Sequence, residues 1–367
     1  MGRVLLVKLG AIGDAVMMLP AAHALHAQGN DVEWLCGEQI APLLTLYPWI
    51  RPIIVDEAEL LWAGRSARLR LLLRLWRQMA GRHYDLIATV YYDSRYRLLT
   101  RSARAGRRVW LSMEDRDRRI LPGRHHTDEY GRILLSLKDE VRPVAMSPVS
   151  PPRMPVSPVP RTGSAPRVVL VPAGAKNLVR EDALRRWPIA HYVDVARELL
   201  EQGCEVILSG GSGDGWASAA FAGLPVRDCI GRHTLVETVA LFDSSDLVIT
   251  PDTGPLHLAG ITRASVVAIF GPTSPHCFLP QRSGVVALWG GEGFACRPCY
   301  DGKNYAPCPD NACMQQVTPA MVLHTAKGML AARRDGLSPA ARIEVPPSTI
   351  ASIWQGIGVL PRESANV

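Results

Sequence analysis

Three short stretches of this chain concentrate residue types that do chemistry. The first is Lys8-Leu9-Gly10-Ala11-Ile12-Gly13-Asp14, close to the amino terminus. Gly10 and Gly13 permit a tight turn and close backbone approach of a ligand. Asp14 follows at once, and a carboxylate there has two uses. It can cap the helix that begins at the turn, or it can take a proton from an attacking hydroxyl. The G-x-x-G spacing lacks the third glycine of the dinucleotide fingerprint, which argues against a nicotinamide cofactor. The second stretch is Pro251-Asp252-Thr253-Gly254-Pro255-Leu256-His257. Pro255 suits the first turn of a helix, and the free N–H groups of such a turn suit a diphosphate. His257, within that turn, is either a satisfied core imidazole or part of the ligand site. The third is Arg185-Arg186-Trp187-Pro188, with Lys176 upstream in Ala173-Gly174-Ala175-Lys176. These cations either neutralise a departing diphosphate or solvate a loop.

Cysteine offers a fourth candidate. Cys296 and Cys299 form a C-x-x-C pair, and Cys308 and Cys313 follow closely. Four thiolates suit a structural zinc or iron. The spacing is shorter than a zinc ribbon, so free thiols remain the competing reading. Cys36, Cys204, Cys229 and Cys277 are scattered and read as small core residues. Asp115-Arg116-Asp117 is a pair of carboxylates at D-x-D spacing. That spacing could hold a divalent metal, but it lies among arginines and reads as surface ion pairing.

The elements that must position these groups follow a βαβ rhythm. Apolar strand patterns occupy 3–8, 31–36, 51–55 and 85–90, with a helix over 14–28 and an arginine-rich helix before the fourth strand. Prolines then crowd a linker. The rhythm restarts with strands at 167–171, 204–209, 246–250 and 265–270 and helices at 189–202, 234–242, 254–262 and 319–333. With 367 residues, 47% apolar and 20% charged, the chain suits two globular domains. The expected boundaries are 1–150, a linker over 151–166, a second domain over 167–335, and a tail over 336–367 that can pack back on the first domain. Both domains read as doubly wound α/β sheets facing a cleft at their strands' carboxyl ends. No apolar run approaches the ~18 residues of a membrane span, and no signal-peptide pattern opens the chain. A cytoplasmic location, with reduced thiols, is expected.

The net charge of +7 is unevenly placed, with arginine crowding residues 65–132. Such a patch either solvates a helix face or attracts phosphates, an anionic lipid surface or nucleic acid. No zinc-finger, RNA-recognition or helix-turn-helix signature accompanies it, which disfavours nucleic acid. Trp62, Trp76 and several leucines are interleaved with the arginines, which favours a membrane surface.

Together, the Lys-Leu-Gly-Ala-Ile-Gly-Asp turn with Leu19-Pro20 beyond it, Arg185-Arg186-Trp187-Pro188, and Asp252-Thr253-Gly254 with His257 resemble glycosyltransferase family 9. These are the heptosyltransferases of lipopolysaccharide core assembly, and the resemblance spans nearly the whole chain. It implies a GT-B fold of two Rossmann-like domains. The first would hold an anionic lipopolysaccharide-precursor acceptor at the cytoplasmic face of the inner membrane. The second would hold the donor, usually ADP-L-glycero-D-manno-heptose. The resemblance puts the family's catalytic base on Asp14 and its diphosphate site on Asp252, Thr253 and Gly254. A family lysine falls on Arg185, a departure that replaces a point charge by a planar fork. The ribose partner falls on Asp214, and the adenine meets the backbone near His233. Arg186 and Lys176 would assist the leaving ADP. The implied reaction is an inverting displacement that requires no catalytic metal. Cysteines like the quartet recur in relatives, not always with a metal. The alternatives are a transferase using a UDP- or GDP-hexose, a nicotinamide-dependent oxidoreductase, and a non-catalytic nucleotide- or membrane-binding module. The oxidoreductase is disfavoured by the missing glycine and by the second diphosphate site.

Overall fold

Strands buried on both faces read as continuous apolar runs and pair in parallel, and this chain builds two such sheets. The computed structural model describes residues 2–135, 146–161, 163–175, 181–300 and 304–346. The amino-terminal sheet comprises β1 (Arg3–Val7), β2 (Asp31–Gly37), β3 (Ile50–Val55), β4 (His83–Thr89) and β5 (Arg104–Trp110). Its order is β3-β2-β1-β4-β5, and every pairing is parallel. The helices of this half are α1 (Ile12–Ala27), α2 (Ala41–Leu44), α3 (Glu57–Trp62), α4 (Arg65–Met79), α5 (Arg95–Leu98) and α6 (His126–Leu135).

The second sheet holds β6 (Arg167–Leu170), β7 (Glu205–Leu208), β8 (Arg227–Asp228), β9 (Leu247–Pro251), β10 (Ser265–Phe270), β11 (Val285–Trp289) and β12 (Arg342–Glu344). Its order is β12-β11-β10-β9-β6-β7-β8. With it go α7 (Ile189–Glu201), α8 (Leu235–Asp243), α9 (Gly254–Gly260), α10 (Pro275–Phe278), α11 (Ala312–Gln316) and α12 (Pro319–Arg334). In both sheets the chain starts in the middle and winds outward to each side. The order therefore reverses between β1 and β4, and between β6 and β9. Ligands of open parallel sheets bind outside the strand ends at such points.

Each sheet is sandwiched by apolar helix faces. Leu71, Leu72, Leu75 and Met79 of α4 cover one side of the first sheet with Val7 and Ile87. Met18 and Leu25 of α1 cover the other with Leu6 and Trp34. The two domains share an apolar contact as well, because Val16 and Leu43 cluster with Phe242, Leu256 and Leu258.

The predicted strands and helices appear within a few residues of their expected bounds. β5 escaped prediction because Arg104, Arg107 and Arg108 look like a run of surface charge. It is an edge strand, where arginines face water and blunt the open ladder. The tail behaves differently from expectation over its described part. β12 pairs with β11, so the carboxy-terminal sheet runs to Glu344, beyond the expected boundary at 335. Residues 347–367 lie outside the described residues.

The proline-rich connection is docked rather than loose at its end. Proline has no N–H, but its carbonyls still require donors when buried. Arg167, with its side chain fully buried, supplies them. It donates to the carbonyls of Val159 and Pro160, both at 2.8 Å, and pairs with Glu205 at 2.8 Å. Arg167→Ala should lower unfolding stability by about 3 kcal/mol, read from a urea midpoint. An unchanged midpoint would remove this arginine from the linker's anchoring.

Candidate active site

The carboxyl end of β1 carries a buried cation. Lys8 is 3% exposed, and its Nζ lies 2.7 Å from Oδ2 of Asp14 and 4.6 Å from the centre of the Tyr91 ring. Asp14 stands in the first turn of α1, three residues past Ala11, the residue that flanks the helix start. The capping alternative for Asp14 therefore does not apply. Its Oδ1 accepts a hydrogen bond from the Tyr130 hydroxyl at 3.1 Å. Yet its side chain remains 31% exposed. Burial pushes the carboxyl up, and the Lys8 ammonium opposes that so strongly that the net shift is downward. The result is a carboxylate held ionised and still reachable from solvent.

The two glycines before it make room for protein groups. A Cβ on Gly13 would lie 2.6 Å from Cδ2 of His257, and one on Gly10 would lie 2.9 Å from Glu57 Oε2. The turn is thus pressed against the other domain at His257, while a Cβ on Gly254 would meet Ile12 at 3.4 Å, an ordinary van der Waals contact.

Across this contact stands the second polar group. Asp252 is 1% exposed. Its Oδ2 pairs with Arg185 at 2.8 Å and accepts from the Thr273 hydroxyl at 2.6 Å. Asp252 Oδ1 and Arg185 Nε are buried and have no hydrogen-bond partner among the described residues. One wants a donor and the other an acceptor, which is the demand a ligand carrying both hydroxyl and phosphate would meet. Two imidazoles line the boundary. His257 is buried, and desolvation holds it down at about 4, against the pull of Asp252 and Asp14. His126 is held down at about 4 by the same cause. Both are neutral at pH 7.

A profile for glycosyltransferase family 9 (heptosyltransferase) matches residues 157–308. Lipopolysaccharide heptosyltransferase 2 of Escherichia coli K12 is 32% identical over 106 residues, which is 27% of this chain and 30% of that protein. Lipopolysaccharide heptosyltransferase 1 of Pseudomonas aeruginosa is 25% identical over 329 residues, 81% of this chain and 86% of that one. Among solved structures, that of E. coli ADP-heptose lipopolysaccharide heptosyltransferase II matches with a TM-score of 0.68 and 20% identity, covering 90% of this chain and 99% of that one. Over residues 157–308 the chain is similar to glycosyltransferase family 9. The match to the first curated relatives spans only 30% of their length. The fold is GT-B, as the two parallel sheets and the structural likeness agree.

The structure brings Asp14, Gly13, Arg185, Asp252, Thr253, Gly254 and His257 to one boundary. Arg186 sits beside them, donating to the Gly174 carbonyl at 3.0 Å and pairing with Glu181. Asp214 is buried and holds two backbone N–H groups, those of Gly174 and Gly211 at 3.1 and 2.8 Å. It ties the loops after β6 and β7 together, with one lone pair on each oxygen to spare. His233 follows β8 and makes no hydrogen bond or ion pair to the Asp252 group among the described residues. Lys176 lies outside the described residues. Asp115 pairs with Arg118 at 3.1 Å, so that carboxylate is engaged in surface ion pairing.

The cysteine quartet has suitable donor chemistry but not the geometry of a closed site. Cys296 and Cys308 are exposed, and Cys299 and Cys313 are half-buried. Burial and the neighbouring thiols push Cys313 up to about 12. Among the described residues, no three or more His, Cys, Asp or Glu side chains converge as metal ligands.

Sequence reasoning missed Lys8, Tyr130 and His126. Lys8 had a local signal, a lone lysine closing an apolar strand. The other two come from α6, more than a hundred residues away, and had none. Lys8→Met removes the ammonium that opposes burial. The Asp14 carboxyl should then titrate higher, moving the acidic limb of the kcat/KM profile to higher pH, while Lys8→Arg should restore much of the wild-type profile. An acidic limb unmoved in Lys8→Met would refute the coupling. The histidine shifts also carry a stability consequence. The folded chain binds fewer protons than the unfolded chain between about pH 4 and 6.5, so stability falls as pH drops through that window. For His257 the loss should reach about 3 kcal/mol near pH 4. A urea midpoint followed from pH 7 downward should decline, less steeply in His257→Gln.

Proposed function

We propose that the chain is an inverting heptosyltransferase. It would move heptose from ADP-L-glycero-D-manno-heptose to a hydroxyl of an anionic lipopolysaccharide inner-core precursor. The observation that carries this reading is the juxtaposition of an ionised, accessible Asp14 with the unsatisfied Asp252–Arg185 pair across the domain boundary.

The acceptor hydroxyl gives its proton to Asp14 as its oxygen bonds to the anomeric carbon. The bond from that carbon to the diphosphate breaks, and ADP departs with the electron pair. The sugar passes through an oxocarbenium-like state. Arg185 offers its free Nε–H to a phosphate oxygen, and Asp252 Oδ1 accepts from a hydroxyl of the donor. Backbone N–H groups at Thr253 and Gly254, with Arg186 and Lys176, add to the stabilisation of the leaving charge. Neutral His257 contributes polarity at that end without a competing charge. Asp214 and the backbone near His233 take the ribose and adenine in this reading. Gly10 and Gly13 bring the acceptor side of the turn close to the donor.

The scheme uses no divalent metal. A structural zinc or iron at Cys296, Cys299, Cys308 and Cys313 is a separate proposal, resting on donor chemistry and tested by elemental analysis of the purified protein. The enzyme would work in the cytoplasm, where nucleotide sugars are made, with its arginine-rich half turned to the inner membrane. No described helix is long and apolar enough to cross a membrane.

Asp14→Asn should cut kcat by about 10²–10⁴-fold and leave ADP affinity unchanged. Wild-type turnover in that variant would refute the base assignment. Calorimetry with ADP, GDP, UDP and their sugar conjugates tests the donor. Selective binding of ADP-heptose supports the reading, and preference for a UDP- or GDP-hexose replaces the donor while keeping the fold.

A further inference from the structure

A cavity of about 280 Å³ opens at the far edge of the amino-terminal sheet, lined among others by Ile87 and Thr89 of β4, Arg108 and Trp110 of β5, and Arg97 and Arg101. β5 lies two strands from β1, so the cavity stands about 10 Å or more from the strand that carries the reaction site. Its cations are arranged before any ligand arrives. The Arg97 guanidinium sits 4.8 Å from the centre of the Trp110 ring. Arg108 is fixed by the Thr100 hydroxyl at 3.1 Å. Among the described residues, no carboxylate pairs with Arg97, Arg101 or Arg108. Three guanidinium groups around one hollow repel each other, and an anion relieves that repulsion.

The surface beside the cavity is amphipathic in a specific way. The Trp76 indole of α4 donates to the Leu98 carbonyl at 2.7 Å, and the Ser102 hydroxyl donates to the Trp76 carbonyl at 2.9 Å. These bonds join α4 to the cavity rim. On the outer side of that layer Trp62, Leu69, Leu73 and Leu98 are 40–66% exposed. Leu69 and Leu73 are four apart and share one face of α4. Arg65, Arg70 and Arg77 alternate with them and have no ion-pair partner among the described residues.

We propose that this face docks on an anionic bilayer and that the cavity takes a lipid headgroup ending in a phosphate monoester. It deepens the membrane part of the reading above and is independent of the transfer chemistry. Charge complementarity selects an anionic surface. The exposed leucines and tryptophan select a bilayer, since they enter an acyl boundary but gain nothing on a nucleic-acid backbone. A monoester carries close to two negative charges and three open oxygens near neutral pH. It suits a cluster of three arginines better than a singly charged, doubly substituted diester.

The test is flotation of the full chain with three kinds of vesicle. One is phosphatidylcholine alone. The others are doped with phosphatidylglycerol or phosphatidic acid to matched surface charge. Binding should be negligible to the first, measurable to the second and strongest to the third. The double variant Arg97→Ala/Arg101→Ala should lose about tenfold of its affinity for phosphatidate vesicles and fall to the phosphatidylglycerol level. Leu69→Glu/Leu73→Glu should lose binding to both anionic vesicles. All four positions are exposed, and unchanged thermal midpoints would verify that the variants fold. Equal partitioning of wild type and the arginine variant overturns the headgroup site. Saturable binding of inorganic phosphate or duplex DNA without vesicle binding overturns the bilayer as partner. Calorimetric donor binding reports separately on the transfer reading, so loss of vesicle binding with donor binding intact defeats this inference alone.

Discussion

Burying an ammonium group without a partner costs several kcal/mol, and that cost organises the amino-terminal domain. Lys8 is enclosed at the end of β1, against the Tyr91 ring and below the Trp34 indole, which donates to the Lys8 carbonyl at 3.2 Å. Asp14 is the carboxylate that makes this enclosure tolerable. The demand runs both ways, since the same ammonium keeps a partly buried carboxyl ionised. The distance from strand end to first helical turn is set by this pair. The two intervening glycines then let the turn lie flat enough for Glu57 on one side and His257 on the other.

The domain boundary is built on the consequences. α1 emerges from the turn with Val16 facing the second domain, where it joins Leu256 and Leu258 in one apolar cluster. Polar contacts frame that cluster. The His125 ring nitrogen meets the Leu279 carbonyl at 2.9 Å, and the Gln281 amide donates to Asp128 at 3.0 Å. The acidic group of one sheet and the Asp252–Arg185 pair of the other are therefore positioned by packing, not by a flexible hinge alone. Desolvation at this boundary keeps both nearby imidazoles neutral, so the local charge is carried by carboxylates, guanidinium groups and the Lys8 ammonium.

Arginine serves distinct physical ends in this chain. Arg167, fully buried, satisfies the carbonyls of a segment poor in N–H donors. Arg185 neutralises a buried aspartate while keeping one N–H free. Arg104, Arg107 and Arg108 guard an open sheet edge. The first two kinds are paired inside the protein, whereas Arg104 and Arg107 of the third are exposed and Arg108 is held by Thr100 and the Ala103 carbonyl.

Local pattern determined much of this protein. Strand length, β-branched content and the proline-rich break defined two α/β domains, because each signal lies within a few consecutive residues. The glycine turn, the Arg-Arg-Trp-Pro stretch and Asp-Thr-Gly likewise stood out as candidates before the structure placed them at one domain boundary. What tertiary structure alone decided are contacts between distant segments. The Tyr130 bond to Asp14 spans 116 positions, and the room that Gly13 leaves is claimed by a histidine of the other domain. Neither leaves a trace in nearby sequence. β5 was hidden because an edge strand's arginines and a solvated helix's arginines look alike until their neighbours are known. β12 was hidden because three residues of tail become a strand only when β11 presents an open edge to receive them.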